Sequence, residues 1–93
     1  MKFEWHAQKA ISNVRKHGVT FDEAKTVFFD PLGFSVFDPD HFDEEDRYVT
    51  MGMTDRFRLV IVSHTDRGDA IRIISARLPD AQEIKEYEDE RLT

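Results

Sequence analysis

The hydrophobic period of this chain changes from helical to two near Phe34, and that change restricts the fold more than any other feature. Before it, Ala7, Ala10, Ile11 and Val14 recur at i, i+3, i+4 and i+7, the spacing of one face of an α-helix, and predict a first helix with that stripe turned inward. Gly18 ends it, because glycine accepts the left-handed conformation of a C-terminal cap, and Lys16-His17 then stand at the negative end of the helix dipole. Thr20 followed by Glu23 has the spacing of a capping box. It opens a second, short helix with Phe21, Ala24, Val27 and Phe28 inward, closed by Asp30-Pro31.

After Phe34 the period is two. A short strand is predicted near Phe34 to Phe37, followed by an acidic loop from Asp38 to Asp46 and three longer strands at about Arg47 to Met53, Phe57 to His64 and Ala70 to Arg77. Turns at Thr54-Asp55-Arg56 and Thr65 to Asp69 separate them and make neighbours antiparallel. Asp80 with Glu83 is a further capping box, beginning a C-terminal helix whose inward residues are Ile84 and Tyr87.

Helices segregated before and after a sheet make an α+β fold: two N-terminal helices, an antiparallel sheet of three to four strands, and a C-terminal helix. The 93 residues suit a single domain spanning 1–93, since two cores from so short a chain would be marginal. No cysteine is present, which excludes disulfides and thiolate metal sites. The N-terminus lacks the apolar run of a signal peptide, and no stretch is long enough to span a bilayer, so a cytoplasmic protein is expected.

The net charge of -6 argues against a nucleic-acid partner until its distribution is considered. Acids concentrate in Asp38 to Asp46 and in Asp80 to Glu90; outside those segments bases outnumber acids. The acidic segments suit either repulsion of RNA or docking of a basic partner. Strict alternation along the last strand puts Ile71, Ile73, Ser75 and Arg77 on one face and Arg72, Ile74 and Ala76 on the other. Arg72 and Arg77 are thereby separated unless Arg77 lies past the strand end.

Phe3-x-Trp5, Lys9, Asn13, the run Lys16-His17-Gly18-Val19 with Phe21 and Glu23-Ala24, then Val27-Phe28, Asp30-Pro31 and Ile73-Ile74-Ser75-Ala76-Arg77 occur in this order and spacing. Together they resemble the BrnT family of type II toxins over nearly the whole chain. The resemblance implies a ribonuclease toxin of RelE-like fold, neutralised by a BrnA-type antitoxin that carries a DNA-binding domain, the hetero-oligomeric complex touching operator DNA only through the antitoxin and repressing its own operon. Two positions differ from the family pattern: His6 stands where an aspartate usually follows the tryptophan, and Leu78-Pro79-Asp80 replaces a basic continuation.

Metal-independent RNA cleavage needs a base for the 2′-hydroxyl, cations for the phosphate and an acid for the leaving oxygen, with no cofactor. His64 is the natural acid/base candidate, since imidazole titrates near neutrality; its plainer role is to end a strand. Arg67 and Arg77 are the catalytic cations, gathered with His64 at one strand-end rim, because guanidinium matches phosphate. Arg47, in preference to Tyr48, and the Lys16-His17 pair are the substrate-binding candidates. Trp5 either stacks a base or seals the core. Asp38-x-Asp40-His41-x-Asp43-Glu44-Glu45-Asp46 has ligands for a divalent cation but lacks EF-hand spacing, so a solvated loop is the simpler reading and no metal is expected. A degenerate toxin that keeps only antitoxin binding and co-repression is the alternative function.

Overall fold

The computed structural model describes residues 1–38 and 46–92. The acidic 39–45 stretch, with the docking and cation-binding readings attached to it, lies outside the described residues. The described chain forms strand β1 (Lys2–Glu4), helix α1 (Ala7–His17), a one-turn helix α2 (Phe21–Ala24) that continues as a 3-10 turn (Lys25–Phe29), strands β2 (Phe34–Asp38), β3 (Arg47–Met53), β4 (Leu59–Arg67) and β5 (Ala70–Arg77), and helix α3 (Ala81–Leu92). The α+β class stands, but the sheet has five strands, in the order β1-β5-β4-β3-β2.

The added strand is β1. It pairs parallel to β5, with Phe3 beside Ile71 and Glu4 beside Arg72. Three residues are too short to show a period. Phe3 anchors the strand by packing its ring against Phe28, centroids 5.4 Å apart.

Helix α1 does not bury the stripe its sequence predicts. Ile11 and Val14 are 50 % and 45 % exposed, whereas Asn13 is buried. The reason lies on the edge of β5. Pairing with β1 stops at Arg72, so the peptide groups of Ala76 need another partner. Asn13 supplies it: its Nδ2 donates to the Ala76 carbonyl at 2.8 Å and to the Val19 carbonyl at 2.9 Å, while the Ala76 N–H donates to its Oδ1 at 3.0 Å. Each such group left buried and unpaired costs about 1–3 kcal/mol, comparable to fully burying one aliphatic side chain, so satisfying several at once outweighs burial of Ile11 and Val14. Gly18 caps the helix as expected, at φ 68. His6 is the N-cap, its Nδ1 accepting from the Gln8 N–H at 3.2 Å, a task an aspartate would perform through its carboxylate.

Only half of the Thr20/Glu23 capping box forms. Thr20 Oγ1 accepts from the Glu23 N–H at 3.0 Å, but the Glu23 carboxylate turns to Arg58, which donates to both its oxygens at 2.7 and 2.6 Å, and to Thr54 Oγ1 at 2.8 Å. Arg58 also donates to the Gly18 carbonyl. One buried carboxylate thus ties the α1–α2 junction to the β3–β4 turn. The Asp80/Glu83 box forms in both directions, at 2.9 and 2.8 Å.

The β4–β5 turn is tighter than predicted. Strand β4 continues through Thr65 to Arg67, and only Gly68-Asp69 connects it to Ala70. Gly68 has φ 63, in the first position of a two-residue turn whose twist matches the strands.

Helices α1 and α2 and the 3-10 turn cover one sheet face, where Phe21, Val27, Val60, Val62 and Ile73 form the main core. Helix α3 covers part of the other, with Tyr87 against Met51 and Ile61. Tyr87 is 2 % exposed and Ile84 36 %, so the inward face of α3 rests on Tyr87, whose hydroxyl donates to Asp30 Oδ2 at 2.7 Å.

Candidate nucleic-acid interface

A β-bulge organises the cations of the sheet. Ser63 pairs with Ser75, yet the next residue, His64, pairs with Ile73, so Ile74 is passed over. An extra residue in one strand inverts its alternation beyond that point. Ile73 and Ala76 therefore both reach the main core, although strict alternation separates them. Arg77 lies beside Ile61 and Arg72 beside Thr65. Since Ile61 and Thr65 share one face of β4, Arg72 and Arg77 share it too, correcting the expectation that they point apart.

The same face collects Arg67 and Arg47. Arg67 follows Thr65 by two residues and pairs with Ala70. Arg47 pairs with Asp38 and has the parity of Met51, which pairs with Ile61. Arg47, Arg67, Arg72 and Arg77 thus project from the α3 side of the sheet, with Ser63, Thr65 and Ser75 between them.

The cations are spread along this face. Arg77 is opposite Ile61 and Arg67 is six residues further along β4, about 20 Å away at strand rise. The expected single rim of His64, Arg67 and Arg77 is not formed, because Arg77 occupies the far end of the hairpin. Acids accompany the arginines: Arg72 Nη1 is 2.7 Å from Glu4 Oε2, and Arg77 donates to both oxygens of Glu83 at 2.9 and 2.8 Å. The Arg77 guanidinium holds the Glu83 carboxyl below its ordinary range.

His64 faces the other way. It has the parity of Val60 and Val62, is 5 % exposed, and packs edge-on to Phe28 at 4.9 Å and stacked on Tyr48 at 6.0 Å. Its Nε2 lies 2.6 Å from Thr50 Oγ1, which lies 2.6 Å from Ser35 Oγ, so a chain of hydrogen bonds crosses β4, β3 and β2. Its Nδ1 is buried without a hydrogen-bond partner. Burial pushes the imidazole below its ordinary value of 6.5, partly offset by the charge of Asp66, and keeps the ring neutral at pH 7.

Lys16 and His17 are exposed in the last turn of α1, which packs on the main-core side. They form a surface separate from Arg47. Trp5 stands edge-on to Phe21 at 5.7 Å and packs against the core. At the Arg67 end of the sheet, Asp46, Tyr48, Asp66 and Arg67 line an open hollow of about 410 Å³, which places carboxylates, a phenol and a guanidinium together. Sequence reasoning missed Asp66 and read Asp46 only as a member of the acidic loop with its cation-ligand pattern. The only signal available was their position at the ends of adjacent strands.

Residues 5–83 match the family described as the ribonuclease toxin, BrnT, of type II toxin-antitoxin system. The chain belongs to the BrnT family. The Brucella abortus ribonuclease toxin BrnT has the same fold: its crystal structure matches with a TM-score of 0.63 at 22 % identity, over 86 % of this chain and 97 % of that one. No curated protein matches. BrnT-family membership implies a ribonuclease toxin whose expected partner is a protein antitoxin. Among the described residues no helix is long and apolar enough to cross a membrane. Where the family pattern continues basic, Leu78-Pro79-Asp80 instead leads into the capping box that starts α3 and presents Glu83 to Arg77.

Proposed function

We propose that this BrnT-family chain is an endoribonuclease toxin that binds single-stranded RNA along the α3-side sheet face and cleaves it without a metal. The observation that carries this reading is the bulge at Ile74, which turns Arg72 and Arg77 to the face that Arg47 and Arg67 occupy. An extended RNA strand lying along β4 meets Arg77 at one end and Arg67 at the other, and fixed guanidinium groups stabilise charge developing on a phosphate.

Cleavage belongs at the Arg67 end, where the RNA rounds the strand ends from the α3 side to the face that Tyr48 and Asp66 share with His64 and meets the hollow that Arg67 also lines. There a carboxylate of Asp46 or Asp66 takes the proton of the 2′-hydroxyl, which attacks the adjacent phosphorus. The bond from phosphorus to the 5′-oxygen breaks, and the Tyr48 phenol protonates the leaving oxygen. Arg67 holds the phosphate. Arg77 acts as a distant anchor for the strand. His64, buried and bonded to Thr50, is a positioning residue in this scheme: it sets β3 against β4 beneath Tyr48. Lys16 and His17 form a second cationic surface on the α1 side.

Neutralisation by a BrnA-type antitoxin with a DNA-binding domain, autoregulation of the operon and assignment to the RelE-like folds complete the proposal. The test is cleavage of RNA by purified protein in excess chelator. Arg67→Ala is expected to lower the rate at least a hundredfold, and Arg77→Ala chiefly to weaken binding. Activity unchanged in both variants, each still folded, removes the assignment.

The compensation of Arg72 by Glu4 and of Arg77 by Glu83 favours a second reading, a non-catalytic toxin relative that keeps antitoxin binding and co-repression. It predicts no growth arrest on expression alone. Arrest reversed by the antitoxin excludes it.

A further inference from the structure

Thr65 is the most unusual residue on the arginine-bearing face. It is 2 % exposed and its Oγ1 is buried without a hydrogen-bond partner. Its neighbours are cationic: Arg72 is its register partner on β5, Arg67 follows two residues along β4, and Arg47 lies beside it on β3, one step beyond the Tyr48–His64 pair. Adjacent strands are about 5 Å apart and same-face residues about 7 Å apart along a strand, so these guanidinium groups all reach the space above Thr65. Folding alone does not account for this choice, because a valine there would fill the same volume without an unsatisfied polar atom. The guanidinium nearest the edge strand is already holding an oxyanion, the carboxylate of Glu4, at 2.7 Å.

We infer that Thr65, Arg72 and Arg47 form a phosphodiester-binding subsite for RNA, in which the Glu4 carboxylate occupies the place of the phosphate in the free protein. This rests on the reading that the face binds RNA, and adds where one backbone phosphate sits and what it displaces. Transfer of Arg72 from Glu4 to the phosphate draws its guanidinium away from β1 and towards β4, which brings the phosphate to Thr65, whose hydroxyl donates to a phosphate oxygen. Glu4 is an internal competitor. RNA affinity is therefore set by an exchange of anions on Arg72 as well as by the number of bases on the face.

The test uses the full chain and a fluorescein-labelled 2′-O-methyl oligoribonucleotide, which presents phosphates but has no free 2′-hydroxyl for cleavage; binding is read by anisotropy. Thr65→Val is expected to weaken binding about tenfold, the scale of one lost hydrogen bond to a charged group, with no fall in melting temperature. Thr65→Ser restores binding. Glu4→Gln tightens it about fivefold, the scale of releasing one phosphate-binding cation at moderate salt. Equal affinity of wild type and Thr65→Val, or unchanged or weaker binding by Glu4→Gln, overturns the subsite, as does the absence of binding by every form. Unmodified RNA separates the two readings. Wild type that cleaves it while the variants bind like wild type leaves the ribonuclease reading standing and the subsite rejected. Wild type that binds with the predicted variant pattern but never cleaves leaves the subsite standing and the catalytic reading rejected.

Discussion

Arg77 grips both carboxylate oxygens of Glu83, at 2.9 and 2.8 Å, while that same Glu83 closes the capping box with Asp80. One carboxylate thus starts α3 and restrains the cation at the end of β5. The pair is partly exposed, 46 % for Arg77 and 25 % for Glu83, so its net contribution to stability is under about 1 kcal/mol. Glu83→Gln keeps a hydrogen-bonding group for the cap and removes the charge. A small loss of stability by urea titration is expected, together with tighter RNA binding as Arg77 is released; weaker binding contradicts the assignment of Arg77 as a phosphate anchor.

Glu23 and Arg58 present the opposite balance. The Glu23 side chain is 2 % exposed, and its oxygens accept from Arg58 and Thr54. Glu23→Gln is expected to cost about 2 kcal/mol, less than a fully buried pair because Arg58 regains water at its exposed side. Arg58 holds the carboxyl below its ordinary value of 4.5. The stabilisation is complete above pH 4.5 and disappears as pH falls through the folded-state value. Acid denaturation followed by Trp5 fluorescence measures this: wild type must lose more stability than Glu23→Gln below pH 4.5.

His64 titrates in a separate window. Burial lowers its pKa from 6.5, so between the folded value and pH 6.5 the unfolded chain binds a proton that the native state refuses. Stability is full above pH 6.5 and falls as the solution is acidified below it. His64→Gln, which retains an amide for Thr50, is expected to flatten the change in urea midpoint between pH 7 and pH 5. An identical change in both proteins rejects the buried, neutral imidazole.

Phe57 is 87 % exposed and adopts φ 62 in the β3–β4 turn. A left-handed conformation costs a non-glycine residue about 1–2 kcal/mol, and glycine gives part of that back through unfolded-state entropy. Phe57→Gly is expected to stabilise the fold by about 0.5–1 kcal/mol in thermal or urea unfolding. A fall in stability instead shows that the ring packs in solution.

The parts legible in the sequence are those governed by neighbours in the chain. The change of period at Phe34, the Gly18 cap, the three long strands and the Asp80/Glu83 capping box require only residues a few positions apart. The exposed half of the α1 stripe shows where that logic stops. Ile11 and Val14 have the right spacing for burial, but Asn13 is recruited to Ala76, sixty-three residues away. Glu23 behaves similarly, leaving its local cap for Arg58, thirty-five residues away.

For the candidate site the sequence determined which groups are present: cationic side chains on a β-hairpin, a histidine on one of its strands and the family motifs that surround them. Tertiary structure alone decided their grouping. Nothing in Ile73-Ile74-Ser75 marks Ile74 as the residue passed over, because a bulge is a property of two strands in register rather than of either one. That single unpaired residue brings Arg72 to the face of Arg77, while the register of β4 turns His64 into the core. Pairing partners, and through them the direction of each side chain, are set by non-local hydrogen bonds that no local pattern encodes.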